Sequence, residues 1–220
     1  MLLGCLSLYA ADNDLITRQI TITLEKAGTL PDRIASSKKN KITNLKIIGE
    51  INGTDLRMIR EMAGSNSNGN STDGKLSVLD LSEAKIVKGG DCYLNNGYDY
   101  TSNDVIGSRA FLGCSGLTSI YVYAEKVPKI DSNAFKGVDA KKCTVYVPMG
   151  TRDDYCASDF GDYFENIVEF EATGIDKTTT STDVEEVVRY SVNGQRLSAP
   201  TKGLNIVKYS YGSVKKVAVR

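Results

Sequence analysis

The sequence predicts an α/β fold, in which short strands and short helices stack along one axis, followed by a small domain made only of strands. Two observations predict the first part: several segments share one spacing of apolar residues, and two neighbouring segments repeat each other at a fixed offset. The second part is predicted by a polar stretch that precedes alternating apolar and polar residues. The 220 residues are enough for both parts.

Composition argues against several classes of function. Lys+Arg and Asp+Glu are equal at 27 each, so the chain lacks the basic excess that nucleic-acid binding uses. It contains no histidine, which removes the commonest general base and the commonest zinc ligand. The five cysteines form no CxxC pair and show no metal-ligand spacing. We therefore expect no cofactor, no metal and no nucleic-acid partner.

The first residues resemble a secretory signal. Residues 1–11 are apolar and end in small residues, after which the chain turns polar, although the usual positive start is missing. Cleavage near Ala10 or Ala11 predicts an exported protein, displayed at the cell surface or secreted. Lipidation of Cys5 is a less favoured alternative, and a buried first strand is a third. No other segment approaches the ~20 apolar residues of a membrane helix.

Local signals predict the elements near the start of the stacked domain. Gln19–Leu24 alternates apolar and polar residues, which predicts a strand. Ala27–Ser37 is a candidate short helix, because Pro31 falls in its first turn. Another helix is predicted to begin with Thr54 as its N-cap and to stop at Gly64.

Three segments share the pattern L-x-x-L-x-L, and a fourth supplies the end of it. In each strand the first, fourth and sixth positions are predicted to face inward. Repeats of twenty-odd residues with this pattern are typical of leucine-rich-repeat solenoids, whose units bury their apolar faces only by stacking. The segments are Ile42–Ile47, Leu76–Leu81, Leu117–Val122 and Val145–Val147.

The segment "VIGSRAFLGCSGLTSIYV" (Val105–Val122) repeats as "KIDSNAFKGVDAKKCTVYV" (Lys129–Val147) with an offset of 24 residues. Cys114 lies where the first copy turns into its strand, and a small, half-apolar side chain suits a buried turn. A nucleophilic role is not expected, because the chain has no histidine to act as base. The matched pairs are Ile106 with Ile130, Ala110 with Ala134, Phe111 with Phe135, and Gly113 with Gly137.

The rest of the chain divides into a closing element, a linker and a second domain. Gly150–Ile167 is predicted to form a short amphipathic helix and a turn that seal the stacked domain, which we place at residues 12–170. Residues 171–186 are polar and Thr-rich, as in a linker. Residues 187–220 predict a small all-β meander, with turns at Asn193-Gly194 and Tyr211-Gly212.

The stacked domain resembles the BspA-type leucine-rich-repeat surface proteins of Bacteroidetes. The resemblance covers about Ile20 to Phe170 and lies in "INGTDLRMIREMAG", "LSVLDLSEAKIV", "VIGSRAFLGCSGLTSI" and "CTVYVPMGTRDDYCASDFGDYFENI". It implies surface display and recognition, with no shared activity and no catalytic residues. The tail, "NGQRL…PTKGLNIV…VKKVAVR", is similar to the C-terminal sorting domains of Bacteroidetes; a plain accessory β-domain is the alternative.

The strand face of a solenoid is its usual binding surface. The fifth position of each strand is predicted to face outward, which selects Lys46, Asp80, Tyr121 and Tyr146, and Tyr123 follows two residues after Tyr121. Tyrosine offers flat area and a polar tip for stacking on sugars or peptides. Ordinary cross-strand packing of exposed tyrosines is the simpler interpretation of the same residues.

The insertion from Gly89 to Asp104 is a second candidate site, because long loops in compact domains are often functional. Its tyrosines, Tyr93, Tyr98 and Tyr100, are candidate ligand contacts. Calcium binding is a less favoured alternative, since the spacing fits no calcium loop. The carboxylates in question are Asp91, Asp99 and Asp104.

These observations favour a non-catalytic module for recognition or adhesion, which binds a protein or a glycan through the strand face. A structural surface scaffold that assembles with other surface proteins is the alternative, and the ligand and oligomeric state stay open. Acid–base hydrolysis by Asp153, Asp154, Asp162 and Glu165 is the least favoured hypothesis, because these look like exposed helix charges rather than a pair facing across a cleft.

Overall fold

The computed structural model describes residues 15–122, 127–131, 133–170, 186–191, 195–209 and 214–219. The chain divides into two compact units, Met1–Ala172 and Thr173–Arg220. Several of the sequence expectations lie outside the described residues: the signal-like segment 1–11 with Cys5, Tyr123, most of the linker 171–186, and the turns at 193–194 and 211–212.

The first unit is built on a six-stranded sheet whose strands are all parallel and follow one another in chain order. A separate pair of two-residue strands, β4 and β6, lies outside this sheet. The strands are β1 Ile20–Leu24, β2 Asn44–Ile51, β3 Val78–Ile86, β4 Val105–Ile106, β5 Ser119–Val122, β6 Lys129–Ile130, β7 Thr144–Pro148 and β8 Asn166–Phe170.

The helices of the first unit are short. The candidate helix at Ala27–Ser37 is two single turns, of which the first holds Pro31 in its opening turn as predicted. The closing segment contains two short helices instead of one, and the expected closing turn is replaced by β8, a sixth strand of the sheet. The helices are α1 Leu30–Arg33, α2 Ser36–Lys39, α3 Gly53–Met62, α4 Arg152–Cys156 and α5 Asp159–Tyr163.

Helix α3 begins earlier than predicted. Its N-cap is Asn52, not Thr54: the Asn52 side chain accepts a hydrogen bond from the Thr54 N–H at 3.0 Å. In return, the Asn52 N–H donates to Asp55 Oδ2 at 2.9 Å, which completes a capping box. The end is as predicted, since Gly64 follows the C-cap with a φ of +112° that favours glycine.

One apolar row runs through the middle of the sheet and confirms the predicted inward positions. Leu45, Leu79, Ile120 and Val145 are aligned in register across four neighbouring strands. All four side chains are buried in the main core. The spacing of the L-x-x-L-x-L segments therefore corresponds to burial on one face of a parallel sheet.

The two repeated segments stack on each other in register. Ile106 pairs with Ile130 between β4 and β6, and the rings of Phe111 and Phe135 stack at 5.1 Å with an interplanar angle of 7°. The Phe111 N–H donates to the Ala134 carbonyl at 2.7 Å. The offset of 24 residues is thus one structural step of the fold.

Two charged side chains of α3 are completely buried. The Asp55 carboxylate accepts hydrogen bonds from the N–H groups of Gly28 at 2.6 Å and Leu30 at 2.9 Å. The Arg60 guanidinium donates to three carbonyls of the first repeated turn, at 2.8–3.1 Å. Those carbonyls belong to Arg109, Ala110 and Leu112.

The second unit is an antiparallel sheet with the strand order β10-β9-β11-β12. It confirms a small all-β tail, with the short strand β10 added to the three predicted strands. Arg189 Nη1 donates to Asn205 Oδ1 at 3.1 Å, and both residues are buried. The strands are β9 Glu186–Ser191, β10 Arg196–Leu197, β11 Gly203–Tyr209 and β12 Val214–Val219.

The predicted class is therefore confirmed as α/β: the first unit has a parallel sheet and few short helices, and the second unit is a small antiparallel sheet. Among the described residues, no helix has both the length and the apolar character needed to cross a membrane.

Candidate binding surface on the strand face

The four outward positions selected from the sequence lie in one row across the parallel sheet. Lys46 pairs with Asp80, Asp80 with Tyr121, and Tyr121 with Tyr146. The row continues to Val168 on β8. We call these five residues the strand-face row; it has a charged end on β2 and β3 and an apolar end, with two tyrosines on β5 and β7 and a valine on β8.

The apolar end is a packed cluster. The rings of Tyr121 and Tyr146 stack at 4.3 Å with an interplanar angle of 8°, and Phe170 meets Tyr121 edge-on at 5.2 Å. One face of each stacked ring is therefore covered by its neighbour. Val168 beside them is 45% exposed, so apolar surface extends to the edge of the sheet.

The two tyrosine hydroxyls are available as polar groups. Neither makes a hydrogen bond to another residue within the described part of the chain, and both side chains are half-buried. Partial burial, together with neighbouring Tyr146 and Asp80, raises the pKa of Tyr121 above its ordinary value. Tyr121 thus stays protonated at neutral pH and can donate a hydrogen bond.

The charged end is an ion cluster. Lys46 Nζ lies 2.7 Å from Glu83 Oε1 and 3.7 Å from Asp80 Oδ2. Burial by itself lowers the pKa of Lys46, but the hydrogen bond and charge of Glu83, with those of Asp80, outweigh it and raise the pKa overall. The ammonium is therefore charged, and two carboxylates facing one ammonium leave this end with a net charge of −1.

Asp80 is less available than its outward position suggested. It is only 7% exposed, and its Oδ1 accepts a hydrogen bond from the Ser82 N–H at 2.9 Å. Its other oxygen faces Lys46, so Asp80 mainly orients that ammonium.

Sequence reasoning missed Glu83, which forms the shorter contact with Lys46. The register between β2 and β3 shifts after Lys46 and Asp80, so that Ile48 pairs with Glu83. A bulge of this kind inserts an extra residue into one strand and breaks the two-residue alternation. No strand periodicity therefore marks Glu83 as a neighbour of Lys46.

The loop tyrosines divide into two kinds. The prediction that Tyr93 contacts a ligand is wrong: only 2% of the residue is exposed, and its hydroxyl donates to the Ser108 carbonyl at 2.8 Å. Burial raises the pKa of Tyr93, which is a core residue and not a ligand contact. Tyr98 and Tyr100 are 85% and 52% exposed, so they stay available at the surface.

The three loop aspartates have separate structural contacts. Asp91 Oδ2 accepts from the Thr54 hydroxyl at 3.1 Å, and Asp99 forms an ion pair with Arg109 at 3.0 Å. The Asp104 N–H donates to the Ile86 carbonyl at 3.0 Å, and the residue has a φ of +56°. Within the described residues, no three acidic, Cys or His side chains come together as a metal site.

The described cysteines and the candidate carboxylates lie in different surroundings. Cys114 is fully buried, and burial raises the pKa of its thiol to about 12, so it stays protonated at neutral pH. Cys92, Cys143 and Cys156 are free as well. The candidate carboxylates, Asp153, Asp154, Asp162 and Glu165, are all exposed.

No protein-family model matches this chain, and no curated protein matches it. The fold and the strand-face row are thus the basis for a functional proposal.

Proposed function

We propose that this chain is a non-catalytic recognition module of the BspA-type leucine-rich-repeat class, exported to the cell surface or secreted. Three observations support the solenoid part of the proposal: the strands follow one another in parallel, the L-x-x-L-x-L positions are buried, and the two repeats stack in register. The similarity of the tail to sorting domains supports export.

The observation that carries the binding proposal is the composition of the strand-face row. Aromatic and aliphatic side chains lie beside a charged cluster on one face, as in the centres and rims of protein interfaces. Because Tyr121 and Tyr146 already cover one ring face of each other, less flat surface remains for a sugar ring. The geometry therefore supports a protein ligand better than a glycan.

A surface scaffold is the second candidate. Leu204 lies on β11, a central strand of the C-terminal sheet, and is nevertheless 43% exposed. Exposed apolar residues of a small sheet favour association with another protein. On this hypothesis the strand-face row is ordinary cross-strand packing, and assembly uses the C-terminal unit.

A binding screen with tyrosine variants separates the two candidates. The full chain is tested against matrix proteins, mucin and glycan arrays, and a positive interaction is measured again with Tyr121→Ala and Tyr146→Ala. Each substitution is expected to raise Kd at least tenfold, which is about 1.4 kcal/mol. Tyr98→Ala is the matched control, because it removes an exposed tyrosine outside the row.

The outcomes differ between hypotheses. A ligand lost in both row variants and retained in Tyr98→Ala supports recognition by the strand face. If binding is instead lost in Tyr98→Ala and retained in both row variants, the site lies in the insertion. If a glycan is the sole ligand found, the partner is a glycan and not a protein. If nothing binds, and if Leu204→Ser abolishes co-purification of other surface proteins, the scaffold is the better description.

A further inference from the structure

The inward side of the sheet contains a cavity that the strand-face row does not involve. Its volume is about 500 Å³, within the range of ligand sites in proteins. It lies between β2, β3 and β5 on one side and the repeated turns on the other, where Ile51, Leu81 and Phe111 line it. Since these side chains belong to the main core, the cavity lies on the core face of the sheet, opposite the strand-face row.

The second half of strand β3 forms part of the cavity wall. Strand β3 runs to Ile86, and the described register places Leu81 opposite Val122 of β5. Beyond that point, Ala84 and Ile86 line the cavity and are only half-buried. Val122 and Val127 also line it, and the residues between them lie outside the described part of the chain.

The chemistry of the wall selects the type of ligand. Every described residue that lines the cavity is apolar, except Lys85 and Asp104, which are exposed. Such a wall offers few partners to a sugar or a nucleotide, whose polar groups lose hydrogen bonds when buried. Apolar cavities of only about 150 Å³ stay dry and take up small apolar molecules.

We propose that the cavity binds one flexible alkyl or acyl chain that carries a neutral polar end. The chain lies along Leu81, Ala84 and Val122, and its polar end stays beside Lys85 and Asp104. Neither charged residue has an ion-pair partner within the described residues, so a hydroxyl can accept from the ammonium and donate to the carboxylate. A charged end group meets one charge of its own sign, whichever sign it carries.

The test uses three probes of equal chain length with the full protein: 1-decanol, decanoate and decylammonium. Calorimetric titration is expected to give saturable binding of one 1-decanol per chain, several-fold tighter than either ion. Ala84→Leu adds side-chain volume at the cavity and is expected to weaken 1-decanol at least tenfold without lowering Tm. Ala35→Leu, at an exposed position, is the matched control and is expected to leave binding unchanged.

A second variant keeps the proposal testable if Ala84→Leu does not fold. Lys85→Ala removes an exposed charge and leaves Asp104, so it is expected to weaken decanoate and strengthen decylammonium. A general structural effect of the substitution would not change the affinities for decanoate and decylammonium in opposite directions. The proposal is overturned if the wild-type chain shows no saturable binding, since the chain itself then fills the space, or if a folded Ala84→Leu protein binds 1-decanol as the wild type does.

Discussion

Helix α3 and the repeated turns contribute to the same hydrophobic core by different means. The turns of the two repeats stack identical residues on each other, with Phe111 over Phe135 and Ile106 beside Ile130. Helix α3 has no second copy in the offset-24 repeat, and its buried charges, Asp55 and Arg60, connect it to neighbouring segments by hydrogen bonds.

The difference teaches how a stacked fold accommodates an irregular element. A repeated turn fits its neighbour because the same side chain occupies the same place one step earlier, so apolar packing is sufficient. A helix inserted once has no such neighbour and is oriented by directional hydrogen bonds. When an apolar side chain is shortened, the loss of stability grows roughly with the volume removed. When one partner of a buried hydrogen bond is removed, the other partner is left unsatisfied, which adds its own cost.

The largest effect is expected at the aromatic stack. Phe135 is fully buried and contacts Phe111 at 5.1 Å and Phe164 at 5.0 Å between ring centroids. Phe135→Ala is expected to reduce the free energy of unfolding by about 4 kcal/mol, through lost burial and the cavity left behind. Urea denaturation measures the loss, and Phe135→Leu, which keeps much of the volume, is expected to lose less.

The guanidinium of Arg60 is expected to be next in importance. Arg60→Met keeps most of the side-chain length but leaves the carbonyls of Arg109, Ala110 and Leu112 without this donor. The expected loss is about 3 kcal/mol by the same denaturation experiment. Arg33→Met, at an exposed helix position, is the control. A loss larger than that of Phe135→Ala would reverse the comparison and make the polar contacts the stronger part of the core.

The Asp55 carboxylate sharpens the comparison at the other end of α3. Its Oδ2 accepts from the N–H groups of both Gly28 and Asn52. In Asp55→Asn, an amide NH₂ replaces one acceptor and faces a donor, so a loss of about 2 kcal/mol is expected. Asp32→Asn, which alters an exposed carboxylate of α1, should leave the denaturation midpoint unchanged. An unchanged midpoint for both variants would show that the buried carboxylate is dispensable.

Periodicity and self-similarity predict the apolar part of this structure well. Leu45 and Leu79 were assigned inward from the spacing of apolar residues, and Phe111 was matched to Phe135 from the offset alone; both assignments are confirmed. They succeed because burial and stacking repeat with the chain. The tyrosine row on β5 and β7 follows from the same register.

The polar part was harder to predict, because its contacts depend on single tertiary distances. Thr54 and Asn52 are both good capping residues, and the hydrogen bonds of Asn52 with Thr54 and Asp55 distinguish them. The position of Tyr93 in a long insertion makes it a candidate ligand contact, yet its ring is buried in the core. Glu83 reaches Lys46 through a bulge that no alternation reveals.

The smallest effect is expected for Gly137→Ala, which tests how closely the two repeated turns approach each other. Gly137 has a φ of +95°, and a Cβ added there lies 3.1 Å from the Cα and N of Gly113. Gly69 has a φ of +79° and open space around it, so Gly69→Ala has the conformational cost alone. Gly137→Ala is therefore expected to lose about 1 kcal/mol more than Gly69→Ala, as overpacking adds to that conformational cost. Equal losses in urea denaturation would mean that the turns separate at little cost, in which case the close stacking of the repeats follows from the aromatic rings and not from their glycines.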